Sequence, residues 1–200
     1  MIIDRSAPLL DCPVAELLDR FAAKQATPGG GGAAAITAAM AAGLLGMAAR
    51  FSTAQLIDSA GRAAYADRMR TQVAALAEQD AEAYQAVLAA FALPRAPDPQ
   101  VRRRQIRRAL ERAARVPTEI AEAACGVAVE AVELTKRGNQ NLRGDAFTAA
   151  VLAAAAARSA AELVRLNVEL GDLGSELRDR ATHAAETAAT AVAVLEARPA

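Results

Sequence analysis

A run of four glycines is the first segment whose residue types suggest chemistry, and it separates Thr27-Pro28 from a long apolar stretch. Glycine lets bare backbone N–H groups approach a ligand, and the start of a helix carries partial positive charge, so the run could hold an anion or a carbonyl group. A flexible connector between two helices explains the run equally well. A dinucleotide-binding motif is not indicated, because a helix is predicted before the glycines where a strand is required. The candidate binding residues are Thr27, Pro28, Gly29, Gly30, Gly31 and Gly32.

A second candidate segment is the polar stretch GNQNLRGD at residues 138–145, which leads into another apolar stretch. The amides of Asn139 and Asn141 offer both donors and acceptors to an amide-like heterocycle. Asp145 suits two roles. It could cap the following helix, or it could bind a ring N–H or position a water molecule.

The third candidate is a polar face that contains Glu78, Asp80 and Tyr84. Asp80 and Tyr84 are four residues apart, so a helix places them on the same side, one turn from each other. Such a face is commonly just solvated. The functional interpretation is a general base beside a phenol, both lining a cleft.

Arginines are concentrated at residues 102–115, where Arg104, Arg108, Arg112 and Arg115 form a stripe at helical spacing. A salt-bridged surface is the first interpretation and a polyanion site the second. The chain has 23 basic and 23 acidic residues, so its net charge is zero. A nucleic-acid partner is therefore not expected.

Metal and disulfide chemistry are not predicted. The only histidine is His183, and Cys12 and Cys125 lie far apart without metal-ligand spacing. Two unpaired cysteines fit a reducing, cytoplasmic location.

Helices must position these candidate residues, because the sequence is rich in alanine and only 3% aromatic, and it lacks the alternation typical of strands. Residues 26–49 carry no charge and could span a bilayer, but we expect a helix buried in protein rather than a membrane segment. We predict one all-α domain over residues 1–200, an up-and-down-type bundle with a long buried helix, and a helical homodimer. The predicted helices cover residues 14–24, 33–51, 59–91, 100–115, 116–136 (starting or kinked at Val116-Pro117), 144–166 and 175–196.

Taken in order, these segments resemble the formiminotetrahydrofolate cyclodeaminase and methenyltetrahydrofolate cyclohydrolase family over nearly the whole chain. The glycine run and the asparagine loop, at about the family's usual separation, make the resemblance specific. It is carried by VAELLDRFAAKQATPGGGGAAAITAAMAAGLLGMAARFS, QDAEAYQAVLAAFALPR, ARVPTEIAEAACGVAVEAVEL and GNQNLRGDAFTAAVLAAAA.

The resemblance implies a helical dimer whose substrate is a tetrahydrofolate with a one-carbon group. The chain would open 5,10-methenyltetrahydrofolate to 10-formyltetrahydrofolate, or would cyclise 5-formiminotetrahydrofolate and release ammonia. Neither reaction requires a metal or another cofactor. By position in the motifs, residues 27–32 and Tyr84 would receive the ligand, Asn139 and Asn141 would hold the pterin, and Asp80 or Asp145 would transfer the proton. The arginines would attract the glutamate tail.

Two segments depart from the family pattern. Residues 53–58 replace a lysine-rich stretch, and Phe147 stands where the family has a glycine. These departures keep a second hypothesis open, that of a catalytically inactive folate-binding or helical interaction protein derived from the family.

Overall fold

The computed structural model describes residues 8–95 and 98–197, and this part of the chain contains six α-helices, two short 3-10 turns and no strand. The prediction of an all-α helical bundle is confirmed. The helices are α1 (Val14–Ala22), α2 (Gly30–Arg50), α3 (Ser59–Ala92), α4 (Pro99–Arg137), α5 (Arg143–Gly171) and α6 (Glu176–Glu196), and the 3-10 turns are Leu9–Asp11 and Gln140–Leu142.

Each helix from α2 to α6 packs against the next one in sequence, and α2 also packs against α4 and α5. The core is built largely from alanine, with the larger side chains of Leu45, Leu110, Ile120 and Leu134 fully buried. Because alanine keeps helix axes close, backbones rather than large side chains form much of the walls between helices. The many buried residues of α2 agree with its prediction as a long buried helix.

Length and hydropathy alone would allow two segments, Gly30–Arg50 and Gln140–Gly171, to cross a membrane. In the structure, α2 packs against α3, α4 and α5, and 61% of its most apolar window is buried inside the protein. Its apolar composition is thus matched by helix-to-helix contacts within the bundle.

Helix α2 begins three residues earlier than predicted, so Gly30, Gly31 and Gly32 form its first turn. Among the described residues no glycine has a positive φ. Three of the four glycines thus belong to the helix that the run was predicted to precede. At position 31 packing requires a glycine, because the Asp80 carboxylate fills the space that a Cβ atom would occupy. Helix α1 ends at Ala22, two residues before its predicted end.

Helix α4 is one continuous element where the sequence predicted a start or a kink at Val116-Pro117. Asp98 begins the helix by accepting hydrogen bonds from the N–H groups of Gln100 (2.9 Å) and Val101 (3.1 Å). Pro117 sits inside the helix and cannot donate to the carbonyl of Ala113, four residues earlier. A side chain from α5 supplies the missing donor: the Nδ2 atom of Asn167 donates a hydrogen bond to the Ala113 oxygen at 3.0 Å.

The arginine-rich part of α4 forms ion pairs and helix-end contacts. Arg112 pairs with Glu82 at 3.0 Å, Arg115 pairs with Glu111 at 2.9 Å, and Arg102 donates to the carbonyls of Phe91 and Leu93 at the end of α3. The first interpretation of this stripe, a salt-bridged surface, is confirmed for Arg112 and Arg115.

Candidate functional site

The beginning of α2 lies directly against the middle of α3, and Gly31 and Asp80 meet at that crossing. A Cβ atom built on Gly31 would overlap the carboxylate of Asp80. The carboxylate therefore occupies the space that any other residue's side chain would need. The first turn of α2 and the Asp80 side chain form a single packed unit.

Two features of this crossing shift the pKa of the Asp80 carboxyl group in opposite directions. Burial of the carboxylate raises its pKa above the ordinary value, and a hydrogen bond from the backbone N–H of Gly32 offsets part of that rise. The net effect is a raised pKa. A carboxyl group with a raised pKa gives up and takes back a proton closer to neutral pH, which is the property required of a general acid or base.

A cavity of about 380 Å³ opens beside Asp80. Its walls come from the glycine run, from α3 and from two other helices, so residues distant in sequence converge on it. The side formed by α5 is apolar except for Asn167, while the opposite side carries Asp80, Tyr84 and Thr27. The lining residues are Ala26, Thr27, Gly29, Gly30, Gly31, Asp80, Tyr84, Ala113, Leu163, Leu166, Asn167 and Leu170.

Tyr84 and Thr27 stand at the polar side of this cavity. Tyr84 follows Asp80 by one helical turn, as predicted, and remains 43% exposed. Thr27 precedes a cis peptide bond to Pro28, and its hydroxyl oxygen accepts a hydrogen bond from Gln85 at 3.3 Å. Pro28 lines a more open, neighbouring cavity of about 530 Å³ that also includes Thr27 and Glu78. The Asp80 cavity thus brings together six of the candidate residues, whereas Pro28, Gly32 and Glu78 do not line it. The six are Thr27, Gly29, Gly30, Gly31, Asp80 and Tyr84.

The asparagine loop lies at the opposite end of α2. The backbone N–H of Asn139 donates to the Ser52 hydroxyl at 2.9 Å, and its Nδ2 atom donates to the Phe51 carbonyl at 2.9 Å. Because α2 spans 21 residues, the two ends are about 30 Å apart. Within one chain, Asn139, Asn141 and Asp145 are therefore not in contact with the Asp80 cavity.

Asn139 and Asn141 have different surroundings within this loop. The Asn139 side chain also accepts a hydrogen bond from the N–H of Asn141 at 3.0 Å, so it caps the 3-10 turn. The Asn141 side chain is exposed and makes no hydrogen bond to any described residue. Asp145 lies in the first turn of α5 rather than at the capping position, which Leu142 occupies. Its carboxylate still lies at the positive end of the helix dipole.

We expect the Asn139→Ala substitution to lower the free energy of unfolding by about 1–2 kcal/mol, because two side-chain hydrogen bonds that hold the loop to α2 would be lost. The matched Asn141→Ala substitution should leave it within about 0.5 kcal/mol. Urea denaturation of both variants checks the difference. Equal losses in the two variants would contradict the assignment of Asn139 as the structural residue.

The remaining candidates lie outside the Asp80 cavity. Glu78 accepts a hydrogen bond from the N–H of Leu9 and so anchors the segment before α1. His183 is exposed on α6, and Phe147 is in the first turns of α5, at the asparagine-loop end of the molecule. Residues 8–95 and 98–197 contain no cluster of three or more His, Cys, Asp or Glu side chains that could hold a metal ion.

Asn167 is a lining residue that the sequence analysis did not identify. It is the sole amide in the last apolar turns of α5, in the stretch LVRLNVEL, and this isolation was a usable signal. Its importance depends on Pro117 and Ala113, which are fifty or more residues away in sequence.

The arrangement combines a carboxyl group of raised pKa, an apolar wall and an opening to solvent. A flat heterocycle could lie against Leu163, Leu166 and Leu170 while Asp80 exchanges a proton with it or with a water molecule. Addition of water to an electrophilic carbon is one reaction that this arrangement can catalyse.

Comparison with known proteins identifies relatives of this chain. The sequence profile of the formiminotransferase-cyclodeaminase family matches residues 13–193. A methenyltetrahydrofolate cyclohydrolase from Methylorubrum extorquens is 32% identical over 162 residues, which cover 76% of this chain and 77% of that protein. A crystal structure of formiminotetrahydrofolate cyclodeaminase from Thermotoga maritima has the same fold, with a TM-score of 0.78 at 24% identity over 94% of this chain and 93% of that one.

Proposed function

The chain belongs to the formiminotransferase-cyclodeaminase family, and from that membership we propose that it hydrolyses 5,10-methenyltetrahydrofolate to 10-formyltetrahydrofolate in the cytoplasm. The observation that carries the proposal is Asp80, a partly buried carboxyl group of raised pKa that faces a cavity of suitable size. Hydrolysis is preferred to cyclodeamination because the relative at 32% identity is a cyclohydrolase. The reaction needs water and a proton carrier, and we propose no resident cofactor.

Asp80 would act first as a base. The methenyl carbon bridges two nitrogens and shares a positive charge with them, so it accepts a water oxygen once a carboxylate removes the water proton. The resulting carbon is tetrahedral and neutral. Asp80 would then return the proton to N5 as the bond between that carbon and N5 breaks, and the hydroxyl proton would leave to solvent. The products are the 10-formyl compound and one proton.

A carboxylate beside the cavity would also stabilise the cationic substrate. Bound positive charge favours the ionised form of Asp80, which opposes the effect of burial on its pKa. The pH profiles of kcat/KM and kcat report the free enzyme and the enzyme–substrate complex, so their acidic limbs should differ. The apparent pKa should be lower in the profile of kcat than in that of kcat/KM.

The homodimer would complete the site. One face of α2 is exposed or only half-buried along its full length, and we call it the α2 stripe. Met40, at its centre, lies ten residues from each end of the helix and is 54% exposed. The stripe consists of Gly30, Ala33, Thr37, Met40, Leu44, Met47 and Phe51.

A two-fold axis near Met40 would pair the α2 stripes of two copies in antiparallel orientation. The glycine end of one helix would then lie beside the Phe51 end of the other, where the asparagine loop is anchored. This pairing would bring Asn139, Asn141 and Asp145 of the partner subunit towards the Asp80 cavity. It accounts for two groups of candidate residues at opposite ends of one helix, and it buries the exposed apolar side chains of the stripe.

We expect the Met40→Glu substitution to convert the dimer to monomers and to lower kcat/KM at least tenfold, because two buried carboxylates would face each other at the axis. Sedimentation velocity at micromolar concentration reports the mass, and Met40→Leu should remain dimeric and active. A wild-type protein that is monomeric and fully active would contradict the shared site.

The identity of the products distinguishes the two family reactions. Purified protein is incubated separately with 5,10-methenyltetrahydrofolate and with 5-formiminotetrahydrofolate, and 10-formyltetrahydrofolate and ammonia are quantified against blanks without protein. We expect 10-formyltetrahydrofolate from the first substrate and no ammonia from the second. Ammonia release with no accelerated hydrolysis would replace the cyclohydrolase proposal with the cyclodeaminase reaction.

A further inference from the structure

Asn167 is a half-buried amide on the apolar wall of the Asp80 cavity, where its neighbours on α5 are Leu163, Leu166 and Leu170. An amide in such surroundings is costly unless its polar atoms have partners. The two ends of this amide have different surroundings.

The nitrogen end is fully engaged within the protein. It donates to the Ala113 carbonyl at 3.0 Å and to the Leu163 carbonyl at 2.9 Å, which uses both hydrogens of the NH₂ group. The Ala113 carbonyl is available because Pro117 has no N–H to give it. Pro117 thereby fixes the orientation of the Asn167 amide from across the helix interface.

The oxygen end has no partner in the described part of the chain. Oδ1 accepts no hydrogen bond from these residues and is not a fully buried atom, so it is exposed to solvent, and Asn167 is one of the residues that line the cavity. Because the nitrogen is held in place, the oxygen cannot exchange positions with it. The cavity therefore contains one oriented acceptor on its apolar side.

We propose that Asn167 is a substrate-binding residue whose Oδ1 accepts a hydrogen bond from an N–H group of the tetrahydropterin ring, a proposal that rests on the proposed folate function. The flat ring would lie against the leucines of α5, with one N–H edge directed to Oδ1. This contact fixes the rotation of the ring in its plane, so that the one-carbon group faces Asp80. Asn167 binds and orients the substrate, and Asp80 transfers the proton.

Three variants separate this role from a purely structural one. Asn167→Leu removes both ends of the amide, and it should raise KM about 5- to 10-fold, the effect of one lost neutral hydrogen bond. It should also lower kcat, because the one-carbon group is held less firmly towards Asp80. Pro117→Ala supplies the N–H that the Ala113 carbonyl lacks, so it competes with the Asn167 amide for that carbonyl, and alone it should raise KM by less than Asn167→Leu does. The double variant Asn167→Leu with Pro117→Ala has no unpaired Ala113 carbonyl, so it should regain thermal stability while KM stays raised.

A double variant with wild-type KM would overturn the proposal, because Asn167 would then be only a tether between α4 and α5. If Asn167→Leu alone does not fold, the double variant still decides the question. If the wild-type protein binds a folate without turnover, calorimetry with 5-formyltetrahydrofolate replaces KM with Kd, and an equal Kd in the double variant overturns the proposal. An active wild type with an unaffected double variant refutes the role of Asn167 alone, whereas a wild type that binds no reduced folate refutes the proposed function with it.

Discussion

The Asp80→Asn substitution is expected to lower kcat for 5,10-methenyltetrahydrofolate by about 100- to 10,000-fold, the usual contribution of one positioned general base. The amide has nearly the same shape as the carboxylate and can still accept the hydrogen bond from Gly32, but it cannot take a proton from water. KM should change much less than kcat. Steady-state kinetics by loss of the methenyl ultraviolet absorbance measures both quantities.

The same variant should not be less stable than the wild type at neutral pH. The folded-state pKa of Asp80 is raised above its unfolded value, so the folded state binds the proton more tightly. The free energy of unfolding therefore falls as pH rises from the ordinary pKa to the raised one. Asparagine does not ionise, so the free energy of unfolding of the variant does not fall for this reason. The melting temperature of the variant should equal or exceed that of the wild type at pH 7, and the difference should shrink below the ordinary pKa of an aspartate.

A matched control is Glu82→Gln, two residues further along α3. Glu82 is exposed and pairs only with Arg112 at the surface, so its loss should change neither kcat nor stability appreciably. An Asp80→Asn protein that is folded and retains full kcat would remove Asp80 from the reaction. Asp145→Asn would then become the variant to test.

The Gly31→Ala substitution is expected to destabilise the protein by about 1–3 kcal/mol and to lower kcat about 100-fold. A methyl group at this position would take the space of the Asp80 carboxylate, so the carboxylate must move or α2 must shift away from α3. A displacement of about 1 Å from a reacting atom can reduce a rate by two orders of magnitude. Urea denaturation and the absorbance assay report the two effects.

Gly32→Ala provides the steric control in the same helical turn. Its new Cβ would lie 3.7–3.8 Å from Pro28, Ala77 and Phe21, which is ordinary van der Waals contact, and its backbone N–H would remain. This variant should fold and keep most of its turnover. If the Gly31 and Gly32 variants behave alike, helix propensity rather than contact with Asp80 explains the glycine run.

The sequence was sufficient to predict the helices, because periodic apolar positions indicate the helices and prolines and glycines indicate where they end. It was also sufficient to select the glycine run, Asp80 and Tyr84, since the helical spacing of Asp80 and Tyr84 does not depend on tertiary structure. Their convergence on one cavity depends on how α3 crosses α2. Local spacing contains no information about that crossing.

Two features could not be predicted from local patterns. Pro117 was expected to start or kink a helix; it does not start one, because it lies inside the continuous helix α4, where an amide from α5 donates to the carbonyl that the proline leaves unpaired. The glycine run and the asparagine loop were expected to hold one ligand, yet α2 separates them by about 30 Å in one chain. Both outcomes depend on contacts between residues far apart in sequence.

The most direct test of the account is the decay of the methenyl absorbance of 5,10-methenyltetrahydrofolate with purified wild-type protein, corrected for spontaneous hydrolysis in the same buffer. The account predicts an acceleration that saturates with substrate, is proportional to protein concentration and is absent in Asp80→Asn. A wild-type rate equal to the buffer blank at all substrate concentrations would contradict it.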